Sequence, residues 1–158
     1  MREDQRAEVP VTPAREDIPK ITREHVAAME ASDDEAVWFM SRMHFVLLRT
    51  IGRRSGRELK VALPYWKDDD GNPIVVGSYA GGPSHPAWYH NLIDREANPE
   101  VLCRVRGRSF YADAVVLEGE DYASTWKALT ADRPFYAEYQ QLCERQIPLV
   151  RLVEKRAA

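Results

Sequence analysis

Two stretches of this chain combine residue types and spacings that could do chemistry. The first, RTIGRRSGRELK from Arg49 to Lys60, sets five cations into twelve residues and interrupts them with Gly52, Ser55 and Gly56. Guanidinium forks match the paired oxygens of phosphates and carboxylates, and glycines allow a tight backbone that exposes N–H groups. The second, GSYAGGPSHPAWYHN from Gly77 to Asn91, joins a strand end, a glycine pair and a helix start. That arrangement also presents N–H groups to an anion. Each stretch has a plainer reading when taken alone. The first could be a solvated turn whose charges aid solubility, the second ordinary loop-to-helix punctuation. Together they describe the two halves of a cradle for a small polyanionic ligand. A third stretch, RPFYAEYQ, offers Tyr136 and Tyr139 as phenols able to give a proton or polarise an oxygen. Phe135, Tyr136 and Tyr139 also fall at the helical spacing of packing residues.

Other sites fail on spacing. Three residues rather than four separate Gly52 from Gly56, and no Lys-Ser/Thr follows, so GRRSGR is not a phosphate-binding P-loop. No GxGxxG opens a helix after a first strand, and no GxSxG elbow is present. His85 and His90 stand five residues apart, off the HExxH spacing, so no metal is expected. Cys103 and Cys143 form no CxxC pair and read as reduced, buried thiols. A net charge of −3 gives no broad basic face for nucleic acid. The N-terminal MREDQRAEVPVTPARED has no apolar h-region, and no stretch approaches the roughly 18 apolar residues of a membrane span. A cytoplasmic protein without membrane association is expected.

The elements that must position these residues follow from pattern. Residues 1–20, polar and proline-bearing, read as an arm, and 21–158 as a single domain. Thr22 is a candidate N-cap for a helix through about Met43. The stretch ASDDE could split that helix in two, with Asp33 or Asp34 capping the second. HFVLLRT, LKVALPYW and PIVVGSY read as three strands of an antiparallel meander, turning at GRRSG and KDDDGN. Ser84 or His85 would stand near the cap of the next helix, with Pro86 at its first position. Two strands turning about Gly107 come next, then a helix from Glu120 to about Ala131 and a short helix after Pro134. IPLVRLVE makes a closing strand. Six mostly antiparallel strands with helices outside them predict an α+β, mainly β fold: a small β-barrel rather than parallel βαβ winding. Its strand edges, and hydrophobic strands such as IVVG, would invite association, so monomer and homodimer both stand.

With TIGRRSGRELKVALPYW, GSYAGGPSHPAWYHNL, ANPEV and IPLVRLV in view, the chain resembles the deazaflavin-dependent nitroreductase family over about Phe45 to Val153. The resemblance implies the split β-barrel fold of flavin- and deazaflavin-binding oxidoreductases. It also implies coenzyme F420, whose tail carries a phosphodiester and γ-linked glutamates. By resemblance, Arg53, Arg54, Ser55 and Arg57, with Lys60, hold that tail, and Pro64 and Tyr65 lie near the deazaflavin ring. Gly77, Ser78 and Tyr79 line ring or phosphate, and Ala87, Trp88 and Asn91 complete the pocket. The family often carries a lysine after the serine of G-S. Tyr79 stands there in this chain, which weakens or replaces one tail contact. The implied activity is hydride transfer from reduced deazaflavin to a small-molecule acceptor: a quinone, a nitroaromatic or an activated enone. FMN in the same fold, or a non-catalytic carrier of cofactor or lipid, are the alternatives.

Overall fold

The computed structural model describes residues 12–158. The arm expected over the first twenty residues lies, for residues 1–11, outside those described. Helix α1 spans Ile18–Ala31 behind a short 3-10 turn at Arg15–Asp17. Pro19 sits in its first turn, where a missing N–H costs little. Thr22 is therefore an interior helical residue and not the N-cap, and its hydroxyl accepts a hydrogen bond from the Ala62 N–H at 3.1 Å.

The helix also stops well short of Met43. Asp34 caps a second one, α2 (Glu35–Trp38), by accepting from the Ala36 N–H at 3.2 Å. Two residues of strand β1 (Phe39–Met40) then turn through Ser41 and Arg42, at φ 52° and 57°, into β2 (Met43–Ile51). A two-residue turn with both φ positive suits the right-handed twist of a hairpin. Over so short a run, the apolar spacing of Val37, Phe39 and Met40 does not distinguish helix from strand.

Strands β3 (Glu58–Lys67) and β4 (Pro73–Val76) follow, then α3 (Ala87–Ile93), β5 (Val101–Val105) and β6 (Arg108–Val116). Helices α4 (Gly119–Asp132) and α5 (Phe135–Gln141) precede β7 (Leu149–Ala157). Pro86 is the N-cap of α3 and lies just outside it, so neither Ser84 nor His85 caps that helix. In the β3–β4 turn, Asp68 Oδ1 accepts from the N–H groups of Asp70 and Asn72 at 3.0 and 2.8 Å. Gly71, at φ 83°, takes the left-handed position there.

Every strand pairing is antiparallel, and the order β2-β3-β4-β7-β6-β5 returns to β2 through Leu48↔Cys103. The result is a closed six-stranded barrel. β4, the IVV strand, is paired on both sides and its Ile74 and Val75 are buried, so it offers no edge for association. Period-two alternation sorts the side chains. Val46 and Leu48 enter the barrel with Val75, Phe110, Val150 and Leu152, while Leu47 faces outward onto Val26, Met29 and Trp38. A third cluster seats α4 and α5 against β4 through Leu129, Phe135, Ile74 and Leu149. Arg151 ties β7 to the rest, bonding Asp68 at 2.7 Å and Asp121 at 2.8 and 3.0 Å.

Candidate active site

A cavity of about 500 Å³ lies between α1, the run Leu59–Pro64 of β3, the start of α3 and one face of α5. Its walls are largely apolar. α1 contributes Ile18, Ile21, Thr22 and His25, β2 contributes Phe45 and Thr50, and α5 contributes Phe135, Tyr136 and Tyr139. Ser78, Tyr79, Ala87, Trp88 and Asn91 also line it. His25 is oriented by donating from Nε2 to the Val37 carbonyl at 2.7 Å.

The arginine turn adjoins this cavity through Asn91. That buried side chain accepts from both the Arg53 backbone N–H (3.2 Å) and Arg53 Nη1 (2.9 Å). Asn98 fastens the same corner: its Oδ1 accepts from the Ile51 N–H at 2.7 Å, and its Nδ2 donates to Ile51 O and Asn91 O at 2.8 Å each. Two asparagines thus join the stretches that the sequence sets forty residues apart. Within the turn, the Gly52 and Gly56 N–H groups bond backbone carbonyls, and Ser55 Oγ accepts from the Arg57 N–H. Ser55 therefore shapes the loop. The Arg54 and Arg57 guanidinium groups are exposed and have no bond or ion pair among the described residues. Lys60 faces the cavity, but its ammonium bonds Glu30 at 2.9 Å and reaches Glu58 at 3.5 Å. The hydrogen bond it donates to Glu30 raises its pKa, so Lys60 stays charged.

The glycine loop is strained. Tyr79, Ala80 and Gly81 take consecutive left-handed conformations at φ 45°, 51° and 78°, which costs free energy at the two residues that carry a Cβ. A Cβ on Gly81 would come within 2.9 Å of both Leu142 Cβ and Tyr139 O. The Gly77, Gly81 and Gly82 N–H groups bond Pro148 O, Ser78 O and Tyr79 O, so the loop turns its donors inward. Arg145 holds its carbonyls. Nε donates to Gly82 O at 2.9 Å, Nη1 to Gly77 O at 2.9 Å and Nη2 to Ser78 O at 2.8 Å. Nη1 also donates to His85 Nδ1 at 2.9 Å. Burial, then the Arg145 charge, lowers the His85 pKa and keeps its imidazole neutral and accepting.

Tyr136 is 3% exposed and its ring meets Tyr139 edge-on, 6.1 Å between centroids. Burial pushes its phenol above the ordinary tyrosine range, while the neighbouring Arg133 guanidinium pulls the other way. Tyr139 is half-buried and its hydroxyl is 2.9 Å from Thr12 Oγ1.

Of the residues singled out from sequence, Lys60, Pro64, Ser78, Tyr79, Ala87, Trp88, Asn91, Tyr136 and Tyr139 meet around the cavity. Tyr65 does not: its side chain is buried in the barrel core and stacks on His44 at 6.0 Å. Gly77 stands behind the lining, where a Cβ would press within 2.6 Å of Pro148. Sequence reasoning missed Arg145, Asn98 and the α1 wall. Asn98 stands in the sequence only as part of ANPEV, with nothing local to mark its bonds to Ile51. Arg145 belongs to no local pattern, because its partners lie at least sixty residues away.

These residues suit a planar ring joined to a polyanionic chain, with an apolar slot for the one and exposed cations for the other. The closed antiparallel barrel is a split-barrel fold. A family model described as F420H2-dependent quinone reductase matches residues 21–154. The chain belongs to that family, and coenzyme F420 is its cofactor. The match takes in most of α1, which the sequence resemblance left outside. An F420H2-dependent quinone reductase of Mycobacterium tuberculosis H37Rv is 33% identical over 113 residues, 70% of this chain and 73% of that one. A solved F420H2-dependent reductase is 35% identical at TM-score 0.57, covering 68% of this chain and 92% of the other. A solved domain-swapped dimer is 31% identical at TM-score 0.61, with 82% and 95% covered. No helix among the described residues is long and apolar enough to cross a membrane.

Proposed function

We propose that this protein reduces quinones at the expense of reduced coenzyme F420, with nitroaromatics and activated enones as further acceptors. The observation that carries the reading is the apolar cavity lined by Tyr136, Tyr139, Ser78, Ala87 and Trp88, beside the exposed Arg54 and Arg57, which have no ion pair among the described residues. When bound and reduced, the deazaflavin supplies the hydride. The chain's own residues bind, orient and exclude water. Arg54 and Arg57 hold the phosphodiester and glutamates of the tail, since Arg53 is engaged by Asn91 and Lys60 by two glutamates. Pro64, Ser78, Ala87 and Trp88 flank the ring. α1 closes the slot over the acceptor, and a phenol of α5 protonates the reduced acceptor's oxygen.

Titration of the purified protein with coenzyme F420 and, separately, FMN, followed by anaerobic addition of a soluble quinone, tests this. The deazaflavin should bind more tightly than FMN, and the quinone should restore the oxidised cofactor's absorbance. Arg54→Ala and Arg57→Ala should each weaken deazaflavin binding by about 1–3 kcal/mol without lowering Tm, since both side chains are exposed. Unchanged affinity in both variants would remove the turn from the site. Tighter FMN binding would favour the flavin alternative, and binding without turnover would favour a carrier.

A further inference from the structure

Arg133 lies beyond the cavity lining, at the C-terminal cap of α4, and is 2% exposed. Its Nη2 donates to the Tyr65 carbonyl of β3 at 3.0 Å. Its Nε and Nη1 are buried and have no hydrogen-bond partner among the described residues. Folds rarely leave a guanidinium in this condition, because a buried cation needs its N–H groups satisfied. The preceding residue, Asp132, accepts from Trp66 Nε1 at 3.0 Å, and its carboxylate also acts electrostatically on the Arg133 guanidinium. Beside the guanidinium as well is the phenol of Tyr136, three residues on across the Pro134 turn, where the Tyr136 N–H bonds the Arg133 carbonyl at 3.2 Å, and Tyr136 forms part of the cavity wall. Phe135 and Tyr139 complete the aromatic wall around that ring and bring no cation of their own.

We propose that Arg133 is a positioning residue that acts through Tyr136: its buried charge turns that phenol into the proton donor of acceptor reduction. The inference rests on the function proposed above. The acceptor gains a hydride from the reduced cofactor, which leaves an oxyanion on a quinone oxygen. The Tyr136 O–H bond breaks, a new O–H bond forms on that oxygen, and the hydroquinone is complete. The electron pair left on Tyr136 is a phenolate in an apolar wall, which would be prohibitively costly there without a cation. Arg133 supplies the cation in advance, with two buried donors unfilled beside the phenol, so the compensating charge is already in place as the phenolate develops. Solvent then returns the proton to Tyr136.

The test uses Arg133→Met, Arg133→Lys, Tyr136→Phe and the Arg133→Met/Tyr136→Phe double variant. Tyrosinate absorbance is titrated in the cofactor-free protein, with Tyr136→Phe subtracted to isolate Tyr136. Arg133→Met should move that ionisation to higher pH, whereas a residue that only fills space would leave it in place. Quinone turnover in Arg133→Met should fall at least tenfold with deazaflavin affinity unchanged. The alkaline limb of its kcat profile should move up with the phenol, and Arg133→Lys should recover part of the rate. The double variant should be no slower than Tyr136→Phe alone, because the arginine has nothing left to act through. Wild-type turnover of Arg133→Met, an unmoved Tyr136 titration or additive losses in the double variant would overturn the proposal. If Arg133→Met does not fold, Arg133→Lys is judged by the same titration. A wild-type protein that fails to reduce quinones refutes the proposed function instead, and leaves the tyrosinate titration to judge the pairing alone.

Discussion

Replacing Arg145 with methionine should show how the glycine loop is kept in its strained shape. The variant keeps an apolar stem of similar length and deletes four hydrogen bonds, to Gly77 O, Ser78 O, Gly82 O and His85 Nδ1. A bond with a charged partner contributes about 1.5–3 kcal/mol when buried. Arg145 is only partly buried, and water can reach some of the freed carbonyls. The four bonds also act on one loop and will not add. A net loss of about 3 kcal/mol follows, and at about 2–4 °C per kcal/mol for a chain of this size Tm should fall by about 6–12 °C. The left-handed run at Tyr79, Ala80 and Gly81 should relax once the carbonyls flanking it at Gly77, Ser78 and Gly82 are free, withdrawing Ser78 and Tyr79 from the cavity wall. Deazaflavin affinity, read by fluorescence titration well below the new Tm, should drop by about tenfold. Hydrogen exchange should speed up at residues 77–85 and stay slow in the barrel strands. Arg145→Lys keeps the charge but cannot span three carbonyls, and should fall between the two. A Tm within about 2 °C of wild type, with unaltered binding, would refute this account of the loop.

Other perturbations probe the same frame. Gly81→Ala combines a φ of 78° with contacts of 2.9 Å to Leu142 and Tyr139, so it should cost more than about 2 kcal/mol in denaturant unfolding. It should also weaken turnover by pushing α5 outward. Asp121 is held below the usual carboxylate range, chiefly by the hydrogen bond from Arg151. A depressed folded value means stability that is present above the unfolded pKa of about 3.9 and lost as pH falls through the folded value. The Tm gap between wild type and Asp121→Asn should therefore hold steady above about pH 5 and close in more acidic buffer. Burial pushes the Cys103 thiol up to about 12, so a thiol reagent at pH 8 should react with one cysteine in the native protein, Cys143, and with two after unfolding.

The barrel is legible in the sequence wherever a local rule decides. Asp68 and Gly71 announce their hairpin, Gly107 announces the next, and the apolar run of HFVLLRT marks a strand. The start of α1 is not legible in this way. Thr22 has the composition of a cap, yet tertiary packing uses its hydroxyl to satisfy the Ala62 N–H of β3. At the site, the cations and glycines are visible as types, but their employment is not. Asn91 and Asn98 bind the arginine turn to α3 across roughly forty residues of chain, and no periodicity records that. The burial of Tyr65 depends on which face of β3 turns inward at that register, and that is settled only when the barrel closes.

Lys60 shows how closure and ligand binding share one set of charges. α1 is seated by a small apolar contact, Val26 and Met29 on Trp38 and Leu47, and by two polar links to β3: Thr22 to Ala62, and Glu30 to Lys60. The helix nevertheless forms a whole wall of the cavity, and hydride transfer depends on a slot that keeps water out. The ammonium nearest the slot is therefore spent on holding the wall, and pulling it onto an anionic tail would cost the Glu30 bond. In the function proposed above, recognition of the tail passes to Arg54 and Arg57, whose turn is braced from behind by Asn91 and Asn98. An exposed, unpaired pair of guanidinium groups on a rigid turn adds little to stability. It is well suited to a partner that arrives carrying its own negative charges.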